Sequence, residues 1–168
     1  VINKALKNKT ILDAIIPQNL SQYHNIWKTR ELLSEAQKIN GKSIKHDISI
    51  PIEKIPLFLK TAKKMLSGFQ KENILAFGHL AEGNLHYNIS KPKEMSNALF
   101  NKLHKKINSN IFDIVNDLGG SFSAEHGIGL IKKKEFKKYT SKEEFVIKNN
   151  LKKLLDPNNI MNPGKVYN

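Results

Sequence analysis

The sequence contains no cysteine and no long apolar run. The lack of cysteine excludes disulfide bonds, thiolate metal sites and a cysteine nucleophile in this chain. No apolar run approaches the roughly 20 residues of a membrane-spanning helix, and the opening residues 1–4 are not followed by the apolar segment of a signal peptide. We therefore expect a cytoplasmic protein, with peripheral attachment to the inner membrane as the alternative.

Arginine is also scarce, although the chain is strongly basic. The formal net charge is +13, and Arg30 is the one arginine among 28 basic residues. The lysines are scattered, and the aromatic residues do not interleave with them as a base-stacking surface requires, so we expect no nucleic-acid partner. Because lysine supplies the generic positive charge, a single arginine suggests a position that requires the planar guanidinium group.

The apolar pattern predicts one domain of mixed secondary structure, since 168 residues suffice for a hydrophobic core. Alternation and short apolar runs predict strands over residues 10–16, 43–50, 73–80, 85–90 and 121–124. Helical periodicity predicts helices over residues 18–39, 52–66 and 94–118, and a further helix that Ser141 caps, with Glu144 in the capping-box position, and that stops before Asp156. This order predicts an α+β fold, an antiparallel sheet with helices on one side, followed by an irregular tail over 162–168.

The segment GHLAEGNLH, residues 78–86, places two histidines around a turn. If residues 81–84 form a four-residue loop, His79 lies opposite His86, about 5 Å away at Cβ, and Asn88 follows on the same face. Neutral imidazoles suit zinc and similar ions, so the hairpin predicts a metal or substrate site. The alternative is a pair of inert, hydrogen-bonded histidines on a half-buried sheet.

The segment GGSFSAEHGIG, residues 119–129, offers a third ligand. Glu125 and His126 are adjacent, so in an extended chain they point in opposite directions unless Gly127 and Gly129 bend the backbone. A carboxylate with two imidazoles leaves open coordination positions, as in catalytic metal sites. The alternative is a glycine-rich turn with a solvated Glu-His pair.

Arg30 lies three residues from Trp27 and four from Ser34, on one side of the predicted helix. Trp27 belongs to the predicted core face, so we expect Arg30 to point toward the interior or its edge. A buried arginine needs an anion. This anion is either a structural partner such as Asp47 or a substrate carboxylate bound through two parallel hydrogen bonds, and Lys45 could join it from the next strand.

Five segments together resemble one family. They are WKTRE (27–31), KHDISIP (45–51), GHLAEGNLHYN (78–88), GGSFSAEHGIG (119–129) and DPNNIMNPGK (156–165). In this order they resemble the C-terminal, ferredoxin-like substrate domain of FAD-linked 2-hydroxyacid dehydrogenases, of the vanillyl-alcohol-oxidase flavoprotein class. This group includes D-lactate dehydrogenase, the flavin subunit of glycolate oxidase and D-2-hydroxyglutarate dehydrogenase. The resemblance implies a substrate- and metal-binding domain over 1–140 and a C-terminal helix and tail over 141–168 that returns to the FAD domain.

The resemblance implies the roles of four residues in the chemistry. His79, His86 and Glu125 match the ligands of a divalent metal, zinc in well-described members. His126 matches the base that removes the proton of the substrate hydroxyl group, while the hydride on C2 passes to flavin N5.

The resemblance also implies contacts with the substrate and the flavin. Arg30 and Lys45 match the groups that hold the carboxylate of a small 2-hydroxy acid, and Ser34 and Asn88 match further substrate contacts. Asn162 lies in the segment that matches the return toward the flavin.

The family's FAD-binding half precedes this domain, so we expect FAD to be bound mainly by a part outside these 168 residues, in cis or as a separate chain. We therefore expect this chain to be inactive alone, and a homodimer is compatible with the resemblance. The turn also differs, because Ala81-Glu82 stands where the family usually has Gly-Asp. Two alternatives remain open: a non-catalytic interaction module, and a metal-dependent hydrolase, since two histidines and a glutamate also activate water.

Overall fold

Alternating apolar and polar residues build an antiparallel sheet in the computed structural model, which describes residues 1–39 and 41–167. Its strands are β1 (Ser43–Ser49), β2 (Ile74–His79) and β3 (Asn84–Ser90), in the order β1-β3-β2. The alternation of the predicted strand over 43–50 is confirmed, because Ile44, His46 and Ile48 are buried on the core face and Lys45 is exposed. The sheet therefore has one apolar face and one face rich in polar side chains.

Two helices cover the apolar face, as predicted. They are α4 (Ile55–Met65), preceded by a 3-10 turn at Ile52–Lys54, and α5 (Asn97–Asp117). Ser96 caps the start of α5, because its hydroxyl accepts a hydrogen bond from the amide of Leu99. Each large apolar side chain that the helices bury stabilises the fold by about 1.5–3 kcal/mol. The buried core consists of Ile44, Ile48, Ile50, Ile55, Phe58, Ala62, Leu66, Leu85, Tyr87, Ile89, Phe100, Ile107, Ile111, Phe112 and Val115.

Two further helices follow the glycine-rich segment. Helix α6 (Lys133–Tyr139) was not predicted, because Phe136 is its one buried residue in a lysine-rich stretch. Helix α7 (Lys142–Leu155) confirms the predicted cap, since the Ser141 hydroxyl accepts a hydrogen bond from the amide of Glu144 at 3.1 Å. The tail after α7 is irregular as far as residue 167, and Asn168 lies outside the described residues.

The chain divides into two compact units, Val1–Gly41 and Lys42–Asn168. The first unit contains α1 (Ile2–Lys7), α2 (Leu20–Glu31) and α3 (Leu33–Ile39). The predicted single helix over 18–39 is therefore broken at Leu32. The implied functional division between residues 140 and 141 stays a prediction.

Two predicted strands are wrong in whole or in part. Residues 10–16 form no strand, and the exposed side chains of Leu12 (97%) and Ile15 (80%) show that their apolar character does not place them in a sheet. The predicted strand over 121–124 is reduced to one antiparallel bridge between Ser49 and Ser121. No helix among the described residues is both long enough and apolar enough to span a membrane.

Candidate active site

The hairpin that carries the two histidines has a different register from the predicted one. Its loop consists of a 3-10 turn at Leu80–Glu82 followed by Gly83, which has a φ of +68°. Strand β3 therefore begins at Asn84, and His79 pairs with Asn84 while His86 pairs with Phe77. The predicted pairing of His79 with His86 is wrong, because the loop lies one residue earlier than expected. The shift amounts to two residues in the pairing, so both histidines remain on the same face of the sheet.

The polar face of the sheet collects most of the predicted residues of the second unit. Strand β1 contributes Lys45, which pairs with Asn88, and Asp47, which pairs with His86. Because residues paired in an antiparallel sheet share a face, these four side chains lie beside His79 and Asn84. The sheet therefore provides a surface of imidazole, amide, ammonium and carboxylate groups.

Glu125 reaches this surface from the glycine-rich segment. Its Oε1 atom lies 2.9 Å from Nδ1 of His79 and accepts a hydrogen bond from the side-chain amide of Asn84. Asn84 is buried, and its own Oδ1 atom has no hydrogen-bond partner among the described residues. Glu125 therefore contacts the hairpin at His79, as predicted.

His126 reaches the same surface at a different point. Its ring stacks on His86 with ring centroids 6.0 Å apart and an angle of 23° between the planes. Adjacent residues can both contact one face of the sheet because residues 124–126 are not extended and Gly127 bends the backbone at a φ of +72°. The predicted bend of the backbone at Gly127 is thus present, and it lets both side chains reach the sheet.

Asp47 is the residue whose role the sequence did not indicate. Its side chain is 4% exposed, and its Oδ2 atom accepts hydrogen bonds from the backbone amides of Glu125 at 3.0 Å and His126 at 2.8 Å. Nζ of Lys132 lies 3.9 Å from the same oxygen. Burial raises the pKa of the Asp47 carboxyl, but the two amides, with His126 and Lys132 nearby, outweigh burial and leave the pKa below its usual value. The carboxyl group is therefore ionised at neutral pH.

The donor groups at this surface suit a divalent cation such as zinc. One ligand atom each of Asp47, Glu125 and His126 lies within 4.8 Å of the others, the one such group found among the described residues. Oδ2 of Asp47 already accepts two backbone hydrogen bonds, which leaves it less free to bind an ion than Glu125. Carboxylate and imidazole are ordinary zinc ligands, so this group fits such an ion, but it shares only Glu125 with the predicted ligands. The predicted set of His79, His86 and Glu125 stays a prediction.

The predicted carboxylate contacts of the first unit lie on α2 and α3. The guanidinium carbon of Arg30 lies 5.5 Å from the ring centroid of Trp27, and both side chains are exposed. The expectation that Arg30 points toward the interior or its edge is wrong, because none of the residues of α2, all of them described, is buried. Ser34 is exposed on α3. The convergence of Arg30 with Lys45 stays a prediction.

The tail that contains Asn162 returns to the glycine-rich segment. The amide of Val166 donates to the carbonyl of Gly129 at 2.9 Å, and Nζ of Lys133 donates to the carbonyl of Gly164 at 3.0 Å. Asn162 itself is exposed with a φ of +50°. Val166 of the tail is thus hydrogen-bonded to Gly129, the last residue of the segment that carries Glu125 and His126. The role of Asn162 stays a prediction.

The chain matches the family model described as FAD linked oxidases, C-terminal domain, over residues 1–166. It therefore belongs to this family, and the predicted resemblance is confirmed.

Among similar proteins, D-2-hydroxyglutarate dehydrogenase of Stutzerimonas stutzeri is 37% identical over 94% of this chain and 34% of its own length. The mitochondrial D-2-hydroxyglutarate dehydrogenase of Arabidopsis thaliana is 35% identical over 97% of this chain and 28% of its own length. That of Danio rerio, also mitochondrial, is 32% identical over 98% of this chain and 30% of its own length. The chain thus spans about a third of the length of these relatives. The expected cytoplasmic location stays a prediction.

Proposed function

We propose that this chain is the substrate- and metal-binding part of an FAD-linked D-2-hydroxyacid dehydrogenase. The observation that carries the proposal is the docking of Glu125 and His126 onto the sheet face that bears His79 and His86. The relatives named above are D-2-hydroxyglutarate dehydrogenases, so D-2-hydroxyglutarate is the preferred substrate within this class. D-lactate and glycolate are the other substrates that the sequence motifs suggest.

His79, His86 and Glu125 are the proposed ligands of a divalent cation, zinc in the first instance. The contact of 2.9 Å between His79 and Glu125 supports the assignment of these two. The side-chain amide of Asn84 also donates a hydrogen bond to Oε1 of Glu125, which orients the carboxylate. When bound, the cation supplies positive charge beside the 2-hydroxyl group of the substrate.

His126 is the proposed base for the hydroxyl proton. Its side chain is 66% exposed, and its Nδ1 atom lies 3.5 Å from Oδ2 of Asp47. A proton on Nδ1 would face the ionised Asp47, which leaves Nε2 to accept the proton of the substrate. The exposure of this side chain gives a substrate access to the ring.

The remaining predicted residues bind the ends of the substrate. Lys45 is exposed on the same sheet face as His86 and pairs with Asn88, which supports a role for these two in holding a carboxylate. Arg30 and Ser34 of the first unit are likewise proposed contacts of the substrate, Arg30 with a carboxylate. FAD would accept the hydride. FAD would be bound mainly by a part of the enzyme outside this chain, and the tail at Asn162 would approach it.

A chimeric enzyme tests the proposal. In the Stutzerimonas stutzeri relative, the C-terminal segment that matches this chain is exchanged for it, and flavin absorbance is followed after addition of D-2-hydroxyglutarate or D-lactate. We expect the flavin to be reduced by one of these acids, and the His126→Asn chimera to retain the flavin but to reduce it at least 100-fold more slowly.

Other outcomes would favour the alternatives. A chimera that binds FAD and a 2-hydroxy acid without flavin reduction would favour a non-catalytic module. Hydrolysis of an ester or amide by the 168-residue chain without flavin would favour a metal-dependent hydrolase.

A further inference from the structure

We infer that Asp47 is a positioning residue whose buried carboxylate fixes the backbone of Glu125 and His126, and thereby places a metal ligand and the base together. The inference rests on the proposed function for the roles of Glu125 and His126. It assigns to Asp47 no contact with the substrate or the metal. The contacts of Asp47 with the glycine-rich segment carry it.

Three consecutive residues of the glycine-rich segment donate their backbone amides to Asp47. The amide of Ala124 donates to the Asp47 carbonyl at 3.3 Å. The amide of Glu125 lies 3.2 Å from Oδ1 and 3.0 Å from Oδ2, and that of His126 lies 2.8 Å from Oδ2. A single residue of β1 therefore satisfies the donors of residues 124–126.

Among the described residues, the backbone of this segment makes few other hydrogen bonds with the sheet. Residues 122–128 lie outside helices and strands, and the one bridge, between Ser49 and Ser121, precedes them. Backbone donors that are removed from water need an acceptor. Charge-assisted hydrogen bonds to an ionised carboxylate are about twice as strong as neutral ones, so Asp47 is a strong anchor for this segment.

The buried charge of Asp47 is compensated locally. Nζ of Lys132 lies 3.9 Å from Oδ2, and it also donates to the carbonyl of Phe122 and to the hydroxyl of Ser123, each at 3.0 Å. Burial of an unpaired carboxylate would be strongly unfavourable. The pairing with backbone amides and Lys132 explains how a carboxylate is maintained where an apolar or amide side chain would cost less to bury.

The position of Asp47 in the sheet links its anchoring role to both proposed functional residues. Asp47 pairs with His86, whose ring stacks on His126. Glu125 extends to His79 at 2.9 Å. Because one oxygen holds two successive amides, it fixes the backbone between them and so the directions in which the two neighbouring side chains leave it. Loss of Asp47 would release both at once.

Amide hydrogen exchange of the metal-free 168-residue chain tests the anchoring role directly. In Asp47→Ala we expect the amides of Glu125 and His126 to exchange at least tenfold faster, relative to the amides of the central strand β3. In Asp47→Asn, which keeps one oxygen but loses the charge, we expect about fivefold faster exchange. The matched control is Asp113→Ala, since Asp113 contacts Lys138 and Tyr139 away from the site, and this variant should leave both amides unchanged.

Zinc binding by the same variants tests the consequence for the site. Calorimetric titration of the chelated chain should show zinc affinity reduced about 10–100-fold in Asp47→Ala, less in Asp47→Asn, and not at all in Asp113→Ala. His86→Ala gives the reference for loss of a proposed ligand. Unchanged exchange in either Asp47 variant, or unchanged zinc affinity in Asp47→Ala, overturns the inference, and Asp47→Asn decides it if Asp47→Ala does not fold. If the wild-type chain binds no zinc, the metal assignment fails, while the exchange measurement still decides the role of Asp47.

Discussion

At the scale of single residues, His46 is an imidazole enclosed in the hydrophobic core. Nδ1 of His46 lies 2.8 Å from the carbonyl oxygen of Tyr87, and the ring makes an edge contact with Phe112 at 5.5 Å between centroids. Burial lowers the pKa of His46 from 6.5 to about 4. The native structure therefore accommodates the neutral ring, with its one proton on Nδ1 to donate to Tyr87.

This shift predicts a loss of stability in mild acid. The unfolded chain binds a proton near pH 6.5 and the folded chain only near pH 4, so the free energy of unfolding falls as the pH decreases between these values. The loss reaches about 3 kcal/mol, and none is expected above about pH 7.5. Denaturant unfolding at pH 7.5 and 4.5 should show a smaller pH dependence for His46→Gln than for the wild type. His24→Gln is the control, because His24 is exposed, and it should keep the wild-type pH dependence. If His46→Gln also keeps the wild-type pH dependence, the account is wrong.

At the scale of elements, Gly83 determines how the hairpin loop packs on the end of β1. It has a φ of +68°, and a Cβ atom at this position would lie 2.1 Å from the carbonyl oxygen of Ile50. The Gly83 carbonyl also accepts a hydrogen bond from the Ile50 amide at 2.9 Å. Gly83→Ala should therefore lower the free energy of unfolding by about 2 kcal/mol or more. Gly127→Ala is the control, since Gly127 has a φ of +72° but open space around it, and it should lose about 1 kcal/mol. Equal losses in thermal or denaturant unfolding would show that the backbone contact contributes nothing.

The elements were predictable where a local pattern determines them. Alternation predicted β1, and capping by Ser141 predicted the start of α7. The register of the hairpin was not predictable from the local sequence, because loops over 80–83 and over 81–84 both contain Gly83. The observed loop also places Gly83 against Ile50, a contact that no local pattern shows. The false strand over 10–16 has a related cause: an apolar pattern does not show whether a neighbouring strand exists to pair with it.

At the scale of the whole molecule, the sequence predicted one contact of the candidate site, between His79 and Glu125, but not the contacts that hold Glu125 in place. His79 and Glu125 meet as their motifs implied. The contacts of Asp47 were not predicted, because its partners are backbone amides 78 and 79 residues away, and a sequence does not show which backbone donors a side chain will meet. The expectation of a buried Arg30 failed for a different reason. Helical periodicity places it beside Trp27, but periodicity alone does not show that this face is covered.

Arg30, the one arginine of the chain, is the proposed carboxylate contact that a conservative substitution tests most directly. Arg30→Lys keeps the charge but loses the fork of the guanidinium group, so it should weaken binding of a 2-hydroxy acid by roughly 1–3 kcal/mol. Stability should change little, because Arg30 is exposed and an exposed contact of a cation with an aromatic ring contributes only about 0.5–1 kcal/mol. Thermal melts of the chain with and without D-2-hydroxyglutarate measure both effects. Lys28→Gln, an exposed cation on the same helix, is the control and should keep the ligand-induced shift. If Arg30→Lys instead lowers the melting temperature and leaves the ligand-induced shift intact, Arg30 acts through Trp27 in α2 and has no part in substrate binding.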